Sequence, residues 1–586
     1  MTPAEKLNAL RQGLKVQGLD GFIVPRADGH LGEYVPACAE RLAWLTGFTG
    51  SAGLAIVLAE RACLFSDGRY ILQMAEQTDP ALWERRHIIE DKPEDWLREA
   101  APGLRIGYDP WLISAAGLKR FTGVEMVPVT ANPVDAAWTD RPAPPLAPAV
   151  PHARDYTGED AAAKRARLGE QLRAAGQDAA ILTDPASLAW LFNIRGTDVE
   201  FCPVALGYAL LRADGTAILF MTAQKVTAAL RAHLTTDVAV QPRETLEAAL
   251  KALSGKTVRY DPASQPVWFE MTLRAAGAII APGPDPVALP RACKNAVEQA
   301  GARTAHLRDG VAMVEFLSWL SRAAPSGAQS EMTAAAHLLD CRAQGALFRG
   351  ESFPAISGAG EHGAIIHYRV TPQTDRALRA NEVYLIDSGG QYLDGTTDIT
   401  RTVWTGPDPA PDNVRDHATR VLAGHIALAM AVFPQGVAGA HLDALARAAL
   451  WQAGLDYDHG TGHGVGSYLS VHEGPAGISR AAKPVPLEAG MILSNEPGYY
   501  LPGAYGIRLE NLLLVQPADL PGAAKPFLRF EVLTLAPFDR ALIEPALLAP
   551  AARAWLNDYH ARVRAELTPH LRDEARSWLA GATAPL

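Results

Sequence analysis

The sequence predicts an α/β protein that ends in an α+β region, on three observations. Two stretches alternate helical and strand-like hydrophobic patterns and repeat each other: "LDGFIVPRADGHL" leads to "LAWLTGF" at 42–48, and "QDAAILTDPASL" leads to "LAWLFNI" at 188–194. Two proline-rich stretches, "RPAPPLAPAVP" at 141–151 and "APGPDPVALP" at 281–290, interrupt both patterns, because repeated proline blocks helix interiors and central strands. From Glu382 onward, strand-like segments alternate with helices in a new arrangement.

The prolines divide the 586 residues into domains at 1–150, 151–290 and 291–586, as expected of a chain too long for one core. Each of the first two opens with an amphipathic helix, then an apolar strand, a polar break and the helical "LAWL" segment, which reads as a duplication. The third opens with the helical pattern "NAVEQAGARTAHLRDGVAMVEFLSWLSRA". It continues through strand-like "GAIIHYRV", "EVYLIDSG", "TTDITRTVW", "GMILSNE" and "YGIRLENLLLV", with "VRDHATRVLAGHIALAMAVF" as a helix between. The tail from about Pro545 places Trp555, Tyr559 and Val563 on one helical face, for packing on the third domain.

With 48% hydrophobic and 20% charged residues, the chain is neither disordered nor a membrane protein in composition. A net charge of −10 gives no reason to expect nucleic acid or an anionic membrane as partner. Cys38, Cys63, Cys202, Cys293 and Cys341 are odd in number and lack a C-x-x-C pair, which suits a reducing compartment. The start resembles an amphipathic helix entering a strand, not a signal peptide, and no apolar run approaches the roughly 20 residues of a membrane span. A cytoplasmic protein is expected.

Asp387 ends the strand "EVYLID", and Asp398 follows eleven residues later beyond the turn "QYLDG". In a hairpin with an even-length loop, opposed residues have numbers summing to an odd value, so these two share a face. Converging carboxylates repel and are costly to bury unless a cation neutralises them. Taken alone, the hairpin supports either a divalent metal site or two solvated strand-end aspartates. A second pair shifts the balance: Glu496 follows "GMILSN", and Glu510 sits among apolar residues where a glutamate needs a partner. Both numbers are even, so a shared face requires an odd-length loop or a bulge.

His459 and His463 have the H-x-x-x-H spacing of helical zinc sites. Gly460, Gly462, Gly464 and Gly466 make a helix improbable, and an extended segment of close backbone approach fits better. His367 and His472, like these two, are each read singly as a satisfied hydrogen-bonding residue in preference to a ligand. Four carboxylates and one imidazole would suit two adjacent divalent ions, Mn²⁺ first, with Zn²⁺ or Co²⁺ also compatible.

In order and spacing, "IDSGGQYLDGTTDITRT", "HGTGHGVGSYLSVHEGP", "SNEPGYY" and "GIRLEN" resemble the pita-bread metallopeptidases, peptidase family M24. With "GAIIHY", the two N-terminal modules and the tail "WLNDYH", the resemblance narrows to the long three-domain cytosolic Xaa-Pro aminopeptidases of that family. It implies two creatinase-like α/β modules ahead of a pita-bread catalytic domain. It implies Asp387, Asp398, His463, Glu496 and Glu510 as ligands of two metal ions. Asp387 would hold one ion and His463 the other, with Asp398 and Glu510 bridging. Glu496 would also be the general acid/base for a metal-bridging hydroxide that attacks the Xaa-Pro carbonyl. His367, His459 and His472 match histidines that line the substrate site and assist proton transfer; Arg508 matches an active-site arginine, and Arg69 in "SDGRY" a substrate-contacting arginine. For both arginines a plain salt bridge is the competing role. Tyr499 or Tyr500 would wall a pocket for the proline ring. Asn495 departs from the pattern, since relatives often carry an acidic residue there. The implied partners are peptides with proline at the second position and a second copy of the chain. A prolidase shares all five ligands, whereas methionine aminopeptidases lack the large preceding modules, creatinase lacks the ligands, and a non-catalytic peptide- or histone-binding relative would have lost some of them.

Overall fold

The computed structural model describes residues 1–586, which form two compact units: Met1–Arg154 with Glu159–Ala288, and Asp155–Gly158 with Leu289–Leu586. In the first unit the repeat in the sequence is a repeat in topology. One six-stranded sheet runs in the order Glu84–His87, Ala62–Ser66, Leu54–Leu58, Gly21–Pro25, Arg105–Tyr108, Glu125–Pro128. The other runs Val238–Gln241, Ala217–Phe220, Tyr208–Arg212, Ala179–Leu182, Thr257–Tyr260, Ile279–Pro282. Neighbouring strands pair parallel, antiparallel, antiparallel, parallel, parallel in the first sheet. The same series recurs in the second.

The local causes also repeat. Gly21–Pro25 and Ala179–Leu182 are central strands with apolar side chains on both faces, and both are buried almost throughout. The opening helices are Pro3–Val16, closed by a Thr2–Glu5 capping box, and Ala161–Ala174. The two "LAWL" segments lie on helices Arg41–Thr46 and Pro185–Phe192.

In the second unit the helix Ala296–Ala323 starts at Asn295, whose side chain caps the first turn while Glu298 reciprocates. Four sheets follow, one of them joining Phe348–Glu351, Gly390–Tyr392 and Gly395–Thr396. Val383–Ser388 lies between Ile356–Ala359 and Ile399–Trp404; Gly498–Leu501 pairs with Tyr505–Arg508; and a six-stranded sheet runs Val432–Pro434, Phe527–Val532, Asn511–Ala518, Ile492–Asn495, Gly462–Gly464, Glu473–Ile478. Helices Asp412–Ala429 and Asp443–Trp451 cover this core with the tail helix Pro550–Leu567. On the tail, Tyr559 and Val563 are buried and Trp555 is half-buried, stacked on Tyr559 with ring centroids 5.3 Å apart. No helix is long and apolar enough to cross a membrane.

Two expected strands are corrected. "GAIIHYRV" begins in the last residues of a 3-10 segment, Gly360–Ala364, and continues as a turn that holds His367. Its Gly363 lies so close to Gly506 that a side chain at 506 would collide with the Gly363 carbonyl, a long-range approach that a short apolar run cannot announce. "YGIRLENLLLV" is two strands, Tyr505–Arg508 and Asn511–Ala518, and Glu510 stands in the break between them.

Leu556 on the tail helix is fully buried in the second unit's core. Leu556→Ala is expected to remove about 2–5 kcal/mol from that unit. Urea unfolding followed by tryptophan fluorescence should show a lower midpoint; an unchanged midpoint would contradict this packing.

Candidate metal centre

Strand register assembles the site. On the first hairpin Asp387 pairs with Thr400, Gln391 with Thr396 and Tyr392 with Gly395, closing on the two-residue turn Leu393–Asp394. Asp398, two residues before Thr400, therefore takes the side of Asp387. On the second hairpin Gly498 pairs with Arg508 and Leu501 with Tyr505 across the three-residue loop 502–504. The flanking strands continue the register, with Asn495 opposite Asn511. Glu496 and Glu510 thus oppose each other, and an odd-length loop supplies what their even numbers require.

The ladder opens at this pair, and other chain segments take up its backbone groups. The Glu496 N–H donates to the Thr461 carbonyl (2.8 Å), and the Glu510 N–H to the Thr400 carbonyl (3.1 Å). Side chains are held as well: Thr400 Oγ1 donates to Glu510 Oε2 (2.8 Å), and Ser494 Oγ to Glu496 Oε1 (3.0 Å). His463 lies on the strand Gly462–Gly464, not on a helix. Side chains at Gly462 or Gly464 would clash with the carbonyls of Ser494 and Glu473, which explains the glycines flanking it. His463 Nδ1 faces the Gly464 carbonyl at 2.8 Å. A carbonyl only accepts, so Nδ1 carries the proton, and in the neutral ring Nε2 offers its lone pair. That Nε2 is 3.5 Å from both Asp398 Oδ2 and Glu496 Oε1.

Donor atoms of Asp398, His463 and Glu510 all lie within 4.8 Å of one another. Asp387 Oδ1, Asp398 Oδ1 and Glu510 Oε1 are buried without a hydrogen-bond partner. Orphaned carboxylate oxygens are expensive in a protein interior, and several turned into one space fit hard-to-borderline divalent cations.

The remaining expected residues fall as follows. Arg508 Nη2 donates to Asp387 Oδ2 (2.7 Å) and Nη1 to Tyr500 Oη (2.8 Å). Tyr500 Oη is 2.8 Å from His459 Nε2, whose Nδ1 is 2.7 Å from the Gly460 carbonyl. His472 meets His463 edge-on at 4.3 Å. Tyr499, one residue from Tyr500, turns to the other face of its strand and packs on His417. His367 is half-buried in its turn. Arg69 belongs to the first unit, where its guanidinium grips Asp67 through two bonds of 2.9 and 2.8 Å. Asn495 donates to the His425 carbonyl at 2.9 Å, so its amide ties its strand to the helix Asp412–Ala429.

Arg401 was not picked out from the sequence. Fully buried, it donates to the carbonyls of Pro537, Thr400, Glu510 and Ala536 and to Asn511, and lies over Phe538 at 4.3 Å. It locks Glu510's backbone to the C-terminal segment. An arginine inside the apolar "ITRTVW" was the available signal, since a buried guanidinium demands acceptors.

A model of metallopeptidase family M24 matches residues 300–517 and one of its C-terminal region 526–586, while creatinase/prolidase N-terminal domains match 6–136 and 140–298. The chain is 39% identical over 614 residues to a probable Xaa-Pro aminopeptidase P of Coprinopsis cinerea, covering 100% of this chain and 98% of that one. Its fold is similar over 100% of both chains, with a TM-score of 0.94 and 35% identity, to an X-prolyl aminopeptidase of Caenorhabditis elegans described as a cytosolic enzyme with a di-nuclear active site. The dipeptidase PepE of Mycobacterium ulcerans matches 64% of this chain and 96% of its own, with a TM-score of 0.52 and 26% identity. The chain belongs to metallopeptidase family M24.

Protons compete for this site. Burial pushes the Asp387 carboxyl up to about 6, Arg508 opposing the rise and Asp398 adding to it. Burial, then the charges of Asp398, Glu496 and Asp387, hold Glu510 well above the usual carboxylate range. Burial favours a neutral His463, but Asp398 and Glu496 outweigh it and raise the ring to about 9. At pH 7 the metal-free protein therefore keeps a proton on His463, and the rise at Asp387 and Glu510 strengthens their hold on protons, so a divalent cation binding here competes with protons. Calorimetric titration with Mn²⁺ at pH 7 should show net proton release, with heats that change between buffers of different ionisation enthalpy and affinity that rises with pH. Heats independent of buffer would contradict these protonation states.

Proposed function

We propose that this protein is a dinuclear-metal aminopeptidase that hydrolyses the N-terminal Xaa-Pro bond of peptides. The observation that carries the reading is the placing of Asp387 with Asp398 on one face and of Glu496 opposite Glu510 near His463, with one oxygen each of Asp387, Asp398 and Glu510 buried without a hydrogen-bond partner. The two divalent ions, Mn²⁺ in this proposal, supply when bound an activated hydroxide for attack on the scissile carbonyl and positive charge for its oxygen.

The chain's own residues do the rest. Asp387, Asp398, His463, Glu496 and Glu510 are the ligands, and Arg508 and Thr400 fix the rotamers of Asp387 and Glu510. Glu496, steered by Ser494, takes the proton of the attacking water and returns it to the proline nitrogen. Because Arg508 donates to the Tyr500 oxygen, the phenol's proton points to His459 Nε2. That orientation sets His459 beside the substrate with His367 and His472, where they assist proton transfer and stabilise the oxyanion. Tyr500 forms part of the proline pocket. An Xaa-Pro bond is a tertiary amide with no N–H and a fixed φ, so only a site shaped for the ring accepts it.

Full-length similarity to proteins named for this activity supports the aminopeptidase over a prolidase, since the dipeptidase PepE matches only 64% of the chain. The proposal includes domains at 1–150, 151–290 and 291–586, a homodimer and a cytoplasmic location.

Incubated with Mn²⁺, the protein is expected to release the first residue of an Xaa-Pro-Xaa tripeptide and to lose that activity with a chelator. Turnover confined to Xaa-Pro dipeptides would make it a prolidase, and no turnover with any divalent metal would make it a binding protein. Glu496→Gln should lower kcat by about 10²–10⁴-fold; near-normal turnover would refute the role given to Glu496.

A further inference from the structure

Outside the ligand set, one buried ion pair reaches two parts of the site at once. The helix Asp443–Trp451 carries Asp443 and Arg447 one turn apart, both about 1% exposed. Arg447 uses four of its five N–H donors: Nε donates to Asp443 Oδ2 (2.7 Å), Nη1 to Asp456 Oδ1 (2.8 Å) and the Tyr457 carbonyl (2.7 Å), and Nη2 to the His459 carbonyl (2.8 Å). Its guanidinium lies over the Tyr457 ring at 3.8 Å, and Tyr457 in turn packs on the His459 imidazole at 4.8 Å.

The partner carboxylate continues the chain of contacts. Asp443 Oδ1 accepts from Thr461 Oγ1 at 2.6 Å. Thr461's proton is thereby committed, so the Tyr457 hydroxyl, 2.6 Å away, donates to Thr461 Oγ1. The Thr461 carbonyl accepts the backbone N–H of Glu496 at 2.8 Å. One guanidinium thus grips the backbone of His459 directly, and that of Glu496 through Asp443 and Thr461. The bonds to Asp443 and the Tyr457 carbonyl and the Asp443–Thr461 bond are buried, and that to the His459 carbonyl is partly buried; a charged donor is strong there and an unmet acceptor costly.

We propose that Arg447 is a positioning residue for the reaction, fixing the 457–461 segment so that His459 and the general acid/base Glu496 keep their working geometry. The proposal rests on the peptidase reading above. A lysine cannot replace it, because a single ammonium does not span four acceptors in the plane of a fork. The pair touches no proposed metal ligand's side chain, so its loss should act on turnover and leave metal binding intact.

The test uses the full-length, Mn²⁺-loaded protein and an Xaa-Pro-Xaa tripeptide, with the wild type as reference. An inactive wild type would overturn the peptidase reading itself. With an active wild type, Arg447→Met and Arg447→Lys should each lower kcat about 10- to 100-fold, as loss of a supporting hydrogen-bond partner does in metal sites. Bound metal per chain should equal the wild-type value, and KM should change far less than kcat. Arg447→Ala should regain part of its kcat with guanidinium ion at low, non-denaturing concentration, a rescue that general destabilisation would not show. Thr461→Val, which removes only the link to Asp443 and Tyr457, should lower kcat in the same direction and decides the matter if the arginine variants fail to fold. Wild-type kcat in Thr461→Val and in any folded Arg447 variant, or a loss of kcat wholly matched by loss of metal, would overturn the proposal.

Discussion

Mutual repulsion among four carboxylates in one buried space is the constraint on which the catalytic unit depends. Asp387, Asp398 and Glu510 are each less than a tenth exposed, and each leaves an oxygen without a hydrogen-bond partner. Nothing in the packing of apolar side chains favours that arrangement; in metal-free form the crowding raises the proton affinity of Glu510 and of His463. Two strand registers impose it instead. A two-residue turn keeps Asp387 and Asp398 on one face, and a three-residue loop sets Glu496 against Glu510.

Three buried arginines stiffen what repulsion would loosen, each by a different route. Arg508 meets Asp387 with a charge-assisted bond and so opposes the repulsion directly. Arg401 has no carboxylate partner among its bonds; it gathers backbone carbonyls and ties Glu510 to the segment around Pro537. Arg447 spans two aspartates and two carbonyls from a helix behind the 457–461 segment. In each case the planar fork satisfies several acceptors at once, which a lysine at the same place would not do.

Much of this was legible in the sequence because period and parity carry it. The duplicated modules were visible as repeated patterns and emerge as two sheets of identical strand order. The parity of 387 and 398 anticipated their shared face, and the even parity of 496 and 510 stated what the loop had to be. Glycines around His463 ruled out a helix for a reason the structure bears out, the approach of neighbouring carbonyls. What stayed hidden depends on distant partners. The turn holding His367 goes with the contact of Gly363 with Gly506, and most of Arg401's acceptors lie more than a hundred residues away. Tyr499 and Tyr500 looked alike as neighbours in one motif, and only the strand's orientation separates them.

The central claim is that these registers exist to surround cations. Crystals grown with Mn²⁺ and measured at a wavelength where manganese scatters anomalously test it most directly. The account predicts two anomalous peaks per chain, both within bonding distance of Asp398 and Glu510, one also bound by Asp387 and the other by His463. An empty map at saturating Mn²⁺, with Asp387, Asp398 and Glu510 protonated or bridged by water alone, would contradict it.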